Sequence, residues 1–388
     1  VYKRQAQAFA TAWSEGDSAA MAGLTEGQGR ETELAVRRFQ AGLRAAGTEV
    51  EVLEVAADGN EARATLAVTH ELPGLGDWSY ESVLTLNRAE GEWRVVWEPT
   101  VLHPELRDGR RIELIRQQAP RGPILARAGQ PLVSGSDPAT RVSGVAATTV
   151  GSVAVVDPDE AAERGPGVAA GDVVGTAGLE EAYDERLRGR ATGSVSLIEA
   201  DGAVAEELAT FEGEAGEALP TTLDLAVQRA ADVAVANVAQ PVALVALEAE
   251  TGAVRAVANN PPGFDRAFLG EYPPGSTFKI VTAAAMLEAG VGARVRLPCP
   301  PQTRAGDAGR VTNGDGKDGG VVTFEEAFAE SCNTTFVDEG FRLGGEVLTT
   351  TAETSGFNRS SRPGIPAVVG SFPLPETDTE LAAAAIGQ

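Results

Sequence analysis

Apolar residues change their spacing several times along the chain. Phe9, Trp13, Met21 and Leu24 recur at near-helical intervals between Ala6 and about Leu24, broken at Glu15-Gly16-Asp17, which predicts one helix turning into another. Glu31 to Ala46 predicts a further helix. The period then falls to two, through Val50, Val52 and Val55, then Ala62, Ala64, Leu66 and Val68, then Tyr80, Val83, Leu84 and Leu86, then Trp93, Val95, Val96 and Trp97. Turn signals at Asp58-Gly59-Asn60 and Glu90-Gly91 separate these runs, so a curved antiparallel sheet is expected behind the helices. The opening Val1-Tyr-Lys-Arg-Gln5 reads as foreign to the fold and stands outside the pattern. No polar cluster converges in this part, which points to a structural spacer.

From Leu106 to Ala119 an arginine-rich stretch predicts a helix-compatible linker with a solvated basic face. The chain to about Glu217 is rich in Gly, Val, Thr and acidic residues, with a strand-like Ser194-Val-Ser-Leu-Ile198 and a turn at Asp201-Gly202. Asp157-Pro-Asp-Glu160 reads as an exposed acidic turn in preference to a metal site. Beyond Pro220, Asp224 is placed to cap a helix from Leu225 to Val238. Val242 to Leu247 and Ala253 to Ala258 predict a hairpin joined through Glu250-Thr251-Gly252, and Phe278 to Leu287 predicts a helix.

The chain's 388 residues suit two to three domains, and 43% hydrophobic with 23% charged residues is an ordinary globular composition. A net charge of −24 argues against nucleic acid or an anionic membrane surface as the main partner. No window approaches 18 consecutive apolar residues and no signal-peptide pattern is present. Cys299 and Cys332 lack metal-type spacing, and His70 and His103 lie far from both in sequence, so neither a metal nor another cofactor is expected. Two buried free thiols are the expected state of the cysteines, with a disulfide as the alternative in an extracytoplasmic protein.

The chemistry concentrates in Tyr272-Pro-Pro-Gly-Ser-Thr-Phe-Lys279. Ser276 falls in the first turn of the predicted helix, and Lys279, three residues on, shares its face. A serine hydroxyl is a weak nucleophile by itself; an amine held beside it in a dry pocket can lose its charge and take the proton. The alternative readings are a helix cap for Ser276 and a solvated charge for Lys279. Against the second, Ile280, Val281 and three alanines leave the helix little polar surface. About 50 residues on, Thr323-Phe-Glu-Glu326 has the pattern of a capping box opening a short helix, and Ser331-Cys332-Asn333 follows it. No G-x-S-x-G occurs, so an α/β-hydrolase nucleophile elbow is excluded.

S-x-x-K followed by S-x-N resembles the signature of penicillin-binding proteins and serine β-lactamases. Thr221-Thr-Leu-Asp224, the segment Ala243 to Ala258 and Asn333-Thr-Thr-Phe336 resemble the transpeptidase domain of a class B high-molecular-weight penicillin-binding protein. Arg121-Gly-Pro-Ile124 and the segment Gly178 to Gly189 resemble that class's dimerisation or pedestal domain, and the first 110 residues resemble the NTF2-like domain of the methicillin-resistance type. The resemblance implies an α+β multidomain fold: an NTF2-like cone over residues 1–112, a β-rich pedestal over 113–217, and over 218–388 the first part of a penicillin-binding transpeptidase domain, antiparallel sheet with covering helices. It implies a D-alanyl transpeptidase that cross-links peptidoglycan stem peptides through an acyl-enzyme on Ser276, with Lys279 as proton acceptor, Ser331 passing protons onward and Asn333 binding the substrate amide or fixing Lys279. β-Lactams would be covalent inhibitors, cell-wall synthesis or division proteins would be partners, and an N-terminal anchor outside this chain would tether the protein at the extracytoplasmic face of the membrane. The family's third element, K-T-G, does not follow Asn333, so a truncated transpeptidase domain of low activity is expected. The alternatives are a β-lactamase, disfavoured by the long upstream region and the lack of an E-x-x-x-N pattern after Asn333, and a noncatalytic β-lactam sensor or division scaffold.

Overall fold

The first helix begins earlier than its sequence pattern implies. In the computed structural model, which describes residues 1–388 apart from Gln28, Asp108, Pro166, Asp307, Ala308 and Asp315, Tyr2–Ser14 is one continuous helix. Tyr2 packs edge-on against Trp93, ring centroids 5.5 Å apart, so the opening residues belong to the fold and their exclusion was mistaken. Ser18–Gly23 follows, its start capped by Asp17 accepting from the Ala20 amide, and then Gly29–Leu43.

Four strands, Gly47–Asp58, Glu61–Leu72, Gly76–Ala89 and Glu92–Val95, pair antiparallel in chain order. Gly59, Glu90 and Gly91 take the positive φ that tight hairpins require. Period two then does its work: Ala62, Ala64, Leu66, Val68 and Leu72 are buried in one core with Phe9, Trp13, Val36 and Phe39 of the helices.

A polar cluster does converge inside this sheet, contrary to the expectation from sequence. His70 and His103, 33 positions apart in the chain, meet around Tyr80 and Trp78. The Tyr80 hydroxyl donates to the Leu102 carbonyl at 2.5 Å and lies 3.2 Å from His70 Nε2, while His70 Nδ1 lies 2.9 Å from Thr48 Oγ1. Burial lowers both histidines to about 4, with His103 adding to the effect at His70, so both are neutral at pH 7.

The arginine-rich stretch is also corrected. Arg111–Gln117 is a strand, with Ile112 and Leu114 turned inward, because the alternation of its apolar residues outweighs its basic composition. It pairs with Thr192–Ile198, whose other edge pairs with Val204–Phe211. Asp157 is not in a simple turn: it caps the helix Pro158–Arg164, accepting from the amides of Asp159 and Glu160. Arg121 and Glu180, from the two segments that carried the pedestal resemblance, form a buried ion pair at 2.9 Å. Arg141 bonds the other Glu180 oxygen at 2.7 Å and Asp184 meets Arg121 at 2.8 Å, so two guanidinium and two carboxylate groups satisfy one another out of water.

The chain divides into two compact units, Val1–Asn237 with Val245–Ala258, and Val238–Leu244 with Asn259–Gln388. Asp224 caps the helix Leu225–Ala236, and Val242–Leu247 pairs with Val254–Asn260. In the second unit the helix Lys279–Glu288 packs on Asn333–Leu343 and Gly345–Thr354. Short antiparallel ladders flank them, Arg296–Cys299 with Gly320–Thr323 and Gln302–Arg304 with Arg310–Thr312. The mixture of helix and antiparallel sheet is the α+β class expected.

The cysteines are not free thiols. Cys299, at the end of its strand, is bonded to Cys332, with Cα atoms 6.2 Å apart and a sequence separation of 33. Closing a loop of that length in the unfolded chain is worth about 3–4 kcal/mol on the chain-entropy account.

Removing the carboxylate at the centre of the ion network leaves two buried guanidinium groups short of counter-charge. Glu180→Ala should cost about 3–5 kcal/mol. All four tryptophans (Trp13, Trp78, Trp93, Trp97) lie in the first unit. Urea denaturation followed by tryptophan fluorescence therefore reads the loss directly, and a change below about 1 kcal/mol would contradict the assignment.

Candidate active site

Pro273 and Pro274 keep the approach to the lysine helix irregular, and Gly275, at φ +56°, turns the chain into a short 3-10 turn, Gly275–Phe278. The α-helix starts only at Lys279. In 3-10 geometry side chains at i and i+3 eclipse, which sets Ser276 and Lys279 in line. Ser276 is exposed, whereas Lys279 is 1% exposed. Ser276 caps neither segment: the N-cap positions are Pro274 and Phe278, and no side-chain cap bond is made at either. Phe278 anchors the turn from below, stacked on Phe372 at 4.9 Å and edge-on to Phe357 at 5.4 Å.

The chain's last residues brace the same turn. Gly275 N donates to the Gly387 carbonyl at 2.8 Å, and Thr282 Oγ1 donates to the Ala385 carbonyl at 2.8 Å. Gly387 has φ +76°, and a Cβ there would fall 2.1 Å from the Gly275 oxygen. Only glycine fits.

The second motif is built by a helix end. Thr323 and Glu326 form the expected capping box at the start of Phe324–Ala329. At its other end Ser331 N bonds the Phe328 carbonyl and Cys332 N bonds the Ala327 carbonyl, the two hydrogen bonds of a Schellman motif. That motif places its penultimate residue in the left-handed region, a post usually held by glycine. Here it is Ser331, at φ +55°. Cys332 then serves as N-cap residue of the next helix, Asn333–Leu343.

These elements bring three of the four residues singled out from sequence into direct contact. Lys279 Nζ donates to Ser331 Oγ at 2.9 Å, to the Ser331 carbonyl at 2.8 Å and to Asn333 Oδ1 at 2.5 Å. The Phe336 ring lies 5.5 Å away, a fourth face of the same pocket. Burial lowers the Lys279 ammonium from the ordinary lysine range to about 8. Ser276, the fourth residue, lines a cleft of about 260 Å³ together with Ser331 and Asn333.

Sequence reasoning missed the support behind Asn333. Its Nδ2 donates to the Thr312 carbonyl at 3.0 Å, which turns Oδ1 toward Lys279. Asn313 beside it donates to the carbonyls of Pro300 and Lys317 at 3.0 and 2.9 Å, and its Oδ1 accepts from the Thr334 amide at 3.3 Å. In sequence Thr312-Asn313-Gly314 offers a turn signal and nothing more.

Three stretches of the chain match known domain families. Residues 2–110 match the NTF2-like N-terminal transpeptidase domain, 140–221 the penicillin-binding protein dimerisation domain, and 242–388 the penicillin-binding protein transpeptidase domain. A peptidoglycan D,D-transpeptidase, PbpA, of Mycolicibacterium smegmatis is 38% identical over 109 residues, 27% of this chain and 22% of that protein. Its namesake in Mycobacterium tuberculosis is 37% identical over 122 residues, 30% of this chain and 25% of that protein. The matched part is thus a quarter or less of those relatives' length. Among solved structures, a chain from a peptidoglycan synthase complex superposes with a TM-score of 0.60 at 23% identity, covering 75% of this chain and 70% of that one, and shares the fold. The D,D-transpeptidase domain of a peptidoglycan glycosyltransferase from Eggerthella lenta gives a TM-score of 0.53 at 26% identity, covering 70% and 63%.

Gly387→Ala would have to occupy a left-handed conformation and also displace the Gly275 carbonyl, so a loss of about 2 kcal/mol or more is expected. Gly344 is a matched control, at φ +81° with open space around its Cβ position. Gly344→Ala should therefore lower the thermal midpoint less than Gly387→Ala, by calorimetry. Equal losses would mean that the contact with the serine-bearing turn contributes nothing.

Proposed function

The chain belongs to the class B penicillin-binding proteins, and from that premise we propose that it carries out D,D-transpeptidation of peptidoglycan stem peptides through an acyl-enzyme on Ser276. The observation that supports this reading best is the buried Lys279 ammonium, directly after the turn that carries Ser276 and bonded to both Ser331 and Asn333.

Neutral Lys279 takes the proton of the Ser276 hydroxyl as Oγ attacks the carbonyl carbon of the penultimate D-alanine. The tetrahedral intermediate collapses, the C–N bond breaks, and the terminal D-alanine leaves with a proton returned through the same network. The amine of a second stem peptide then attacks the ester, releasing Ser276 and forming the cross-link. A β-lactam would enter the first step alike, but its leaving nitrogen stays tethered to the acyl group and blocks the second.

The three lysine contacts have different capacities. The Ser331 carbonyl and Asn333 Oδ1 can only accept, whereas the Ser331 hydroxyl can also donate. Once Lys279 is neutral, the Ser331 hydroxyl is the partner able to reverse its bond and hand a proton on. That gives Ser331 the relay and Asn333 the task of orienting Lys279.

The disulfide fits an oxidising, extracytoplasmic setting. Among the described residues no helix is long and apolar enough to cross a membrane. Stem peptides, β-lactams and other wall-synthesis proteins are the partners this reading implies, and a membrane tether would lie outside the chain.

A fluorescent penicillin should label Ser276, by peptide mapping, and leave Ser276→Ala unlabelled. The neutral amine is the base and its share grows with pH, so the acylation rate should climb with a midpoint near pH 8. At pH 7 roughly one Lys279 in ten would be neutral. Lys279→Arg, which keeps its proton, should acylate at least about 100-fold more slowly at every pH. Near-normal rates in that variant would reduce Lys279 to a fixed positive charge.

Ser331→Gly separates chemistry from stability. Glycine is the favoured residue at this helix end, so the thermal midpoint should hold or rise while the acylation rate falls about 100-fold or more. A variant that is both more stable and fully active would remove Ser331 from the proton path.

A further inference from the structure

Cys332 stands between the two residues that bond Lys279, and its covalent partner lies outside the motif, on the strand Arg296–Cys299. Both cysteines are buried, against Ala327 of the helix end that sets Ser331. Ser331 itself is in the left-handed region, where a non-glycine residue persists only if its surroundings over-determine it. On its amino side the Schellman hydrogen bonds hold it; on its carboxyl side the next residue is tied by the bridge.

We propose that the Cys299–Cys332 disulfide is a positioning element of the reaction centre, holding the Ser331–Asn333 loop so that three oxygen atoms meet Lys279 Nζ at once. Cys299 and Cys332 are positioning residues: neither would touch substrate. The inference rests on the transpeptidase reading for its purpose, though its geometry does not.

The loop has two fastenings. One is the bridge. The other is Asn313, which ties Thr334 to the Pro300 and Lys317 carbonyls, beside Thr312, whose carbonyl orients the Asn333 amide. Cys299 is next to Pro300 and Cys332 is next to Asn333, so both fastenings connect the same two stretches of backbone. Cutting the bridge leaves only hydrogen bonds, those from Lys279 itself among them, to resist rotation of Ser331 out of its left-handed conformation. Its carbonyl and hydroxyl would then no longer point together at the ammonium, and water would enter.

The chain contains three lysines, Lys3, Lys279 and Lys317, so selective labelling reads Lys279 without crowding. With 13C-lysine in the full chain, the Lys279 side-chain signal should titrate near 8 in the oxidised protein. In Cys299→Ala/Cys332→Ala its midpoint should rise by at least about one unit toward the ordinary lysine value, with the far-ultraviolet circular dichroism unchanged. An unmoved Lys279 midpoint in the folded variant would overturn the proposal.

If the double variant fails to fold, the native chain reduced with a phosphine, its two free thiols counted by mass after alkylation, gives the same reading. Collapse of the helical signal on reduction would also overturn the proposal, since the bridge would then hold the unit as a whole and not the loop. Labelling by a fluorescent penicillin in parallel keeps the two claims apart. A shifted Lys279 without labelling of the oxidised protein sustains the positioning role and removes the transpeptidase reading, whereas labelling with no shift does the reverse.

Discussion

An ammonium group taken out of water has to find oxygen atoms to replace its hydration, and Lys279 finds three. Everything around it serves that requirement. The 3-10 turn brings Ser276 into line, the capped helix Phe324–Ala329 delivers Ser331, and the first residue of the next helix delivers Asn333. Three acceptors and an aromatic face are enough to keep the lysine inside, yet burial still lowers it to about 8, so a minority of the molecules carry the neutral amine at physiological pH. A more generous set of partners, with a carboxylate among them, would fix the charge and end its use as a base.

The same requirement accounts for the least comfortable backbone in the site. A helix end of this type favours glycine, and a serine there gives up local stability for a hydroxyl and a carbonyl aimed the same way. The cost is local and small beside what the surrounding fold supplies: the capping box at one end of the short helix, the disulfide just beyond the other, and Phe324 and Phe336 in the core beneath. Strain kept at one residue and offset by neighbours is a familiar property of reactive sites.

The elements that sequence made legible are those with a local cause. Two-residue alternation marks the strands from Val50 to Val95, Asp224 and Thr323 announce the helices they cap, and the spacing of Ser276 and Lys279 is the spacing of one turn. Composition was a poorer guide: the arginines around Arg111 suggested a linker where Ile112 and Leu114 make a strand, and Val1 to Gln5 looked extraneous although Tyr2 packs on Trp93. What could not be read were pairings across long stretches of chain. His70 with His103 and Asn313 with Thr334 depend on which distant segments lie side by side, which no local pattern encodes, and the same proximity decides between the free thiols and the disulfide that Cys299 and Cys332 left open.

The junction between Gly275 and Gly387 is made by main chain alone, one amide to one carbonyl, with no side chain on either side. Contacts between side chains can drift together, since a larger residue on one face can be matched by a smaller one opposite. Here there is nothing to exchange. A substitution at one glycine has no repair at the other, so the two positions vary together only by not varying at all, and a search for compensating pairs would pass over one of the closest contacts to the nucleophile.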